Sequence, residues 1–256
     1  MKSLMRWGLK LGIAGSVILT GLCGVGNLRA IALPEAQVVQ VLQKVPIFTL
    51  TYPKGEFVVF PTKNASKTIS QIGFFISKQD AQRFLDNRIK KENPELGKTL
   101  QVRPISLADY YKLLLENKKK ADSSVVFTLV PTQQQVELAR NLLTASGQPG
   151  EKFNGIPLFV PKFKADNSYL TILRGKEQYI PFYFEKEQAS ALLNEFKKSS
   201  PDKASNTEIQ VVDLYGVIEN LNSSNDTNLN KIFLFPSRES IDFIRSLVPA
   251  SSKPKK

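Results

Sequence analysis

Between residues 45 and 249 the hydrophobic positions change period in a fixed order, and that order predicts a succession of strands and helices. Residues 45–52 and 156–163 are apolar and rich in β-formers, and 56–60 and 168–173 read as second strands ended by turn residues. The runs 72–76 and 180–184 are apolar at every position, as expected of a strand covered on both faces. Ala81, Phe84, Leu85 and Ile89, and likewise Ala189, Leu192, Leu193 and Phe196, fall close to i, i+3, i+4, i+7. That spacing predicts a helix after each run, ended by Pro94 or Pro201. Strands at 101–105 and 208–212, helices from Leu107 and Leu214, strands at 125–130 and 232–235, and helices from Gln133 and Arg238 complete the order β-β-β-α-β-α-β-α, which occurs twice.

The two occurrences also match residue by residue, at an offset drifting from 111 to 105. Val45-Pro46-Ile47-Phe48 recurs as Ile156-Pro157-Leu158-Phe159, and Ile72-Gly73-Phe74-Phe75-Ile76 as Ile180-Pro181-Phe182-Tyr183-Phe184. Asn93-Pro94 recurs as Ser200-Pro201, and Val130-Pro131-Thr132 as Phe235-Pro236-Ser237. Ser106 and Asp213 occupy equivalent positions and can each accept hydrogen bonds from the free amides of a following helix. Ser106 with Asp109 and Thr132 with Gln135 have capping-box spacing, and Ser77 with Asp80 a related form. The fold class expected is mixed α/β (α+β): two tandem pseudo-symmetric repeats, each a mixed β-sheet flanked by helices. The halves are expected at 45–145 and 156–249, with a linker at 146–155, a lead-in helix at 33–44 and a basic tail at 250–256.

Residues 1–32 follow another pattern: Lys2, Arg6 and Lys10 precede an apolar stretch from Leu9 to Val25 that is interrupted by Gly12, Gly15 and Gly21. Ala30-Ile31-Ala32 supplies the small residues a signal peptidase accepts, so a cleavable signal peptide is expected, cut after Ala32. An uncleaved anchor is the rival reading, because the apolar stretch is near the lower limit for crossing a bilayer. Leu22 before Cys23 argues against lipidation. Four cations and no acid would leave with the signal, taking the charge from +12 to +8. The remaining lysines are scattered apart from Lys118-Lys119-Lys120 and the tail, which reads as a solvated surface and not as a nucleic-acid footprint.

The chain contains no histidine, which excludes a Ser-His-Asp triad and every His-containing zinc site. Its one cysteine, Cys23, lies in the expected signal, so a mature chain would have no thiolate chemistry and no disulfide. Gly24-Val25-Gly26 lacks the third glycine of a nucleotide loop, and Ser200-Pro201-Asp202-Lys203 lacks the companion motifs of penicillin-recognising enzymes. Glu185 and Glu187 could pair for glycoside chemistry, but they fall at a helix start, where acids suit the dipole. No enzyme activity, cofactor or metal is therefore expected. What remains is recognition by apolar surface, for which 16 Phe and 7 Tyr are the available means. Most must be core; Phe57, Phe60, Phe75, Phe159, Phe163 and Tyr183 are the candidates for lining a protein-binding groove.

The blocks quoted above, with Gly73 to Gln82, Asn93-Pro94-Glu95-Leu96, Ile180 to Gln188 and Phe235 to Ser240, resemble the Tic twenty-two-like family over residues 35–248. That family comprises soluble import factors of the chloroplast intermembrane space and their cyanobacterial homologues. The bacterial-style signal resembles the cyanobacterial branch, which implies the periplasm, with the thylakoid lumen as an alternative. The resemblance implies a pseudo-symmetric α/β fold with apolar pockets and a chaperone-like role in protein targeting. The partners it implies are unfolded or precursor proteins and an outer-membrane β-barrel assembly protein, with no nucleic acid and at most peripheral membrane contact. The alternative is a non-catalytic assembly subunit of an envelope translocation or outer-membrane biogenesis complex. The resemblance carries over no functional residues position by position.

Overall fold

The computed structural model describes residues 35–64, 67–120, 124–223 and 226–247; the expected signal, its cleavage site and the basic tail lie outside them. Helix α1 (Glu35–Leu42) buries Val38 and Leu42 and leads into the first repeat. There, β1 (Pro46–Thr51), β2 (Phe60–Asn64) and β3 (Lys67–Phe75) are followed by α2 (Lys78–Phe84). This helix runs through a π turn, Leu85–Ile89, into α3 (Lys90–Glu92). Then come α4 (Pro94–Thr99), β4 (Gln101–Ser106), α5 (Leu107–Lys118), β5 (Val125–Val130) and α6 (Gln133–Ala145). The second repeat contains β6 (Pro157–Phe163), β7 (Ile172–Arg174), β8 (Glu177–Tyr183), α7 (Lys186–Ser199), β9 (Thr207–Asp213), α8 (Leu214–Ser223), β10 (Ile232–Phe235) and α9 (Arg238–Leu247).

Each repeat forms one mixed sheet, and the strand pairings repeat as the letters do. Pro46 pairs with Ser106 and Pro157 with Asp213 across antiparallel strands. Phe48 pairs with Phe75 and Phe159 with Tyr183. Phe75 pairs with Val130 and Tyr183 with Phe235 across the parallel pairs. Ser70 and Gln71 pair with both β2 and β5, so these two strands lie on opposite edges of β3.

Alternation along the strands divides the side chains between two faces. Ile47, Ile72 and Phe74 of the first sheet and Leu158, Val160, Ile180 and Phe182 of the second join α1, α5 and α8 in one core shared by both halves. There Tyr110 and Tyr215 hydroxyls hydrogen-bond at 2.8 Å and Tyr111 donates to Asn222 Oδ1 at 2.7 Å, one repeat to the other. Phe48, Leu50 and Phe75, and Phe159, Phe163 and Tyr183, face the other way, into smaller clusters. The last helix of each repeat covers its partner's outer face. α6 packs Ala139, Leu138 and Leu142 against Phe159 and Tyr183. α9 sets Phe243 edge-on against Phe48 at 5.4 Å.

Hydrogen bonds fix this exchange. Gln135 on α6 accepts from the Lys186 amide (2.9 Å) and donates to Glu187 (2.9 Å) at the start of α7. Glu239 on α9 accepts from Ser77 Oγ and the Gln79 amide, both at 2.8 Å, at the start of α2. The expected Thr132–Gln135 capping box is therefore not formed, because Gln135 is drawn across the interface and Thr132 makes no side-chain cap. Ser106 and Asp109 do form their box. Asp213 Oδ2 accepts from the Tyr215 and Gly216 amides, while Oδ1 accepts from the Ile156 amide at 2.7 Å. Only glycine fits at 155, where a Cβ would stand 2.0 Å from Asp213 Oδ1.

Several boundaries differ from the expectation. The strand expected at 168–173 is β7 at Ile172–Arg174, because only 172–174 pair with β8 while Ser168 and Leu170 bond back to the end of β6. The polar stretch Lys67–Gln71 is strand, held by pairing with β2 and not by an apolar face, so β3 begins five residues before 72 and β2 begins at Phe60. Pro94 opens a new helix as well as closing the last one, with Asn93 Oδ1 accepting from the Leu96 amide.

Candidate functional site

On the outer face of the first sheet the paired positions Phe60 and Gln71, Gly73 and Thr128, and Phe75 and Val130 lie side by side. Over them pass Phe84, Arg88 and Ile89 of the helix that turns π at Leu85–Ile89, and the gap between is a cavity of about 540 Å³. Its apolar walls are in ring contact: Phe60 meets Phe84 edge-on at 5.7 Å and Phe75 lies 5.5 Å from Phe84. Gln71 Nε2 donates to Thr128 Oγ1 at 2.8 Å, which satisfies polar groups on the floor. At the rim Arg88 pairs with Glu92 at 3.2 Å, so the mouth carries compensated charge around an apolar interior. Val126, 42% exposed, pairs with Gln71 and extends the apolar surface outward.

The cavity exists because small residues stand where the second repeat has large ones. The counterparts of Gly73 and Thr128 are Pro181 and Phe233, paired in the same register. A Cβ on Gly73 would meet the Phe75 ring at 3.5 Å, an ordinary van der Waals contact, so a side chain can be placed there without a clash at its Cβ.

Of the six aromatic candidates, the structure brings Phe60 and Phe75 together here. Phe57 lies on the opposite side of the sheet, half-buried at 5.6 Å from Phe74. Phe159, Phe163 and Tyr183 are enclosed beneath α6 and α7, at 0%, 2% and 6% exposure, and none lines this cavity. Phe163 packs edge-on against Phe196 (5.5 Å), and Tyr183 stacks on Phe235 at 4.8 Å. Phe84 and Arg88 were missed by sequence reasoning, although the small-for-large exchanges between repeats, Gly for Pro and Thr for Phe, marked the position.

Glu185 and Glu187 stand at the start of α7, and Glu187 is held by Gln135. Burial pushes the Glu185 carboxyl above its usual range, with Glu187 adding to the rise and a hydrogen bond from the Arg238 amide opposing it. Among the described residues no group of three or more His, Cys, Asp or Glu could hold a metal ion.

The arrangement defines a class: a tandem-repeat mixed α/β protein with an apolar cavity on one repeat. A family model described as the Tic22-like family matches residues 20–246, and the chain belongs to that family. A solved structure titled Anabaena Tic22 (protein transport) is 34% identical, with TM-score 0.75 over 85% of this chain and 99% of that one. Tic22 from Plasmodium falciparum shares the fold at 19% identity and TM-score 0.63, over 82% and 96%. Among curated proteins no match was found. No helix among the described residues is long and apolar enough to cross a membrane.

Proposed function

We propose that this chain is a protein-transport factor of the periplasm that holds apolar segments of unfolded or precursor polypeptides, and that the Phe60–Phe75–Phe84 cavity is where it holds them. The likeness to Anabaena Tic22, a protein of protein transport, supports the general role, and the expected signal peptide supports the compartment. The observation that carries the binding reading is the cavity itself. Seating one Leu- or Phe-sized side chain there would contribute about 1.5–3 kcal/mol, a strength suited to holding and releasing clients without chemistry.

The test is suppression of aggregation of a urea-unfolded outer-membrane β-barrel protein. The wild-type chain is expected to suppress it at stoichiometric ratio. Gly73→Leu, which fills the cavity from the floor, is expected to weaken suppression severalfold at an unchanged melting temperature. Leu247→Ser, which removes an apolar side chain 63% exposed elsewhere, is expected to change little. Absence of suppression by the wild type, or equal loss in both variants, overturns the proposal.

A further inference from the structure

At the outer edge of the second sheet the aromatic side chains form a ladder instead of walls around a gap. Tyr183 stacks on Phe235 at 4.8 Å, Phe235 meets Phe233 at 4.7 Å, and Phe233 meets Tyr179 at 6.0 Å. The ladder ends under cations. The Arg174 guanidinium sits 3.8 Å from the Phe233 ring centre, and Lys44 Nζ, from beyond the end of α1, 5.7 Å from it. The tight β7–β8 turn holds Arg174 there, with Gly175 in the left-handed region at φ 65 as a two-residue hairpin requires. Around this end lies a cavity of about 720 Å³, walled by α1, the β7–β8 hairpin and β10.

Glu177 stands opposite Arg174 in the β7–β8 register but accepts from Tyr179 and forms no salt bridge with Arg174, so the cations of this cavity are not ion-paired. No carboxylate lines it, and neither Arg174 nor Lys44 makes a salt bridge among the described residues. Lys176 and Lys231 line an adjoining hollow, whose one acid, Glu177, accepts the Tyr179 hydroxyl at 2.6 Å. The first cavity, in contrast, has its Arg88 paired with Glu92. A guanidinium stacked by its face on a ring keeps its N–H edges for a planar anion. The volume falls within the range of pockets for organic ligands and far exceeds an ion. A bare phosphate would leave the aromatic floor, Leu173 and Val41 wet. A membrane surface would not enter a concavity.

We propose that this second cavity binds an acidic segment of a polypeptide, with Arg174 and Lys44 meeting its carboxylates and Phe233 seating an adjacent apolar side chain. The proposal rests on the reading of the chain as a handler of polypeptides but uses none of the first cavity's residues. The duplicated scaffold would then present two chemistries, one neutral and apolar, one cationic and aromatic.

The experiment is fluorescence anisotropy of the purified protein with a short labelled peptide of Glu, Phe and Ser. The double variant Lys44→Gln/Arg174→Gln is expected to bind at least about tenfold more weakly, since charge-assisted contacts are lost. Lys118→Gln/Lys119→Gln, the same charge removed elsewhere, is expected to stay within about twofold, the exposed charges there being screened. A peptide with Gln for Glu is expected not to bind, and Gly73→Leu to leave acidic-peptide binding intact. Far-UV circular dichroism and the melting temperature establish that each variant is folded. Equal loss in both double variants overturns the proposal. So does displacement of the peptide by equimolar inorganic phosphate, or binding of phosphatidylglycerol vesicles, but not peptide, that depends on Arg174 and Lys44.

Discussion

Asp213 shows how much one side chain can do when a repeat position is filled differently in the two copies. Its counterpart Ser106 caps α5 alone, whereas Asp213 caps α8 and also ties the Ile156 amide, at the entry to β6, to the end of β9. Asp213→Ala is expected to cost about 2 kcal/mol in chemical denaturation, as a lost cap plus an unpaired amide. Asp213→Asn, which keeps an acceptor, is expected to cost less. Glu185 acts in the opposite sense. Its carboxyl is raised by burial, so the folded state holds its proton more tightly than the unfolded chain does. Stability is therefore lost as pH rises from the ordinary carboxylate range through the raised value. Glu185→Gln is expected to raise the denaturation midpoint at pH 7 and to change it less at pH 4; equal gains at both would refute this. The same contrast between copies creates the first cavity, because Gly73 and Thr128 leave open what Pro181 and Phe233 fill.

At the scale of elements, the helix positions follow from the 3.6-residue period, and the starts of α5, α6, α8 and α9 fall where the pattern places them. Their partners do not follow from it. α6 has an apolar stripe that could have covered the first sheet, yet it lies on the second, with Gln135 spent on the start of α7. α9 is attached to the first sheet chiefly through Phe243 and through Glu239, which holds two donors at the start of α2. Glu239→Ala is expected to loosen α9, seen as faster amide exchange over Arg238–Leu247, and to destabilise the chain by about 1 kcal/mol. Protection of α9 equal to wild type would show that its apolar seat alone suffices. Thr132 illustrates why capping motifs mislead: the spacing was right, but the Lys186 amide across the interface takes the Gln135 Oε1 that the box would need.

At the scale of the molecule, one core crosses the repeat boundary and each outer sheet face is completed by the other repeat's last helix. Residues 45–145 alone would lose the part of the shared core supplied by α1 and the second repeat and leave the stripe of α6 without its sheet. Neither half is expected to give a cooperative unfolding transition by itself, whereas the whole chain is expected to unfold in one transition whose midpoint is the same by circular dichroism and tyrosine fluorescence. Two separated transitions would show that the halves are independently stable. The sequence by itself determined the duplication, the strand and helix order and the family, because period and spacing are properties of neighbours along the chain. It also narrowed the apolar candidates to six aromatics without separating them. Only the tertiary structure decided that Phe60 and Phe75 line a cavity while Phe159, Phe163 and Tyr183 are sealed, since exposure depends on what an apolar face meets. Here the second sheet meets α6 of the other repeat and its own α7, while the first sheet meets the π-turned helix with a gap beneath it, and strand and helix periods do not encode that difference.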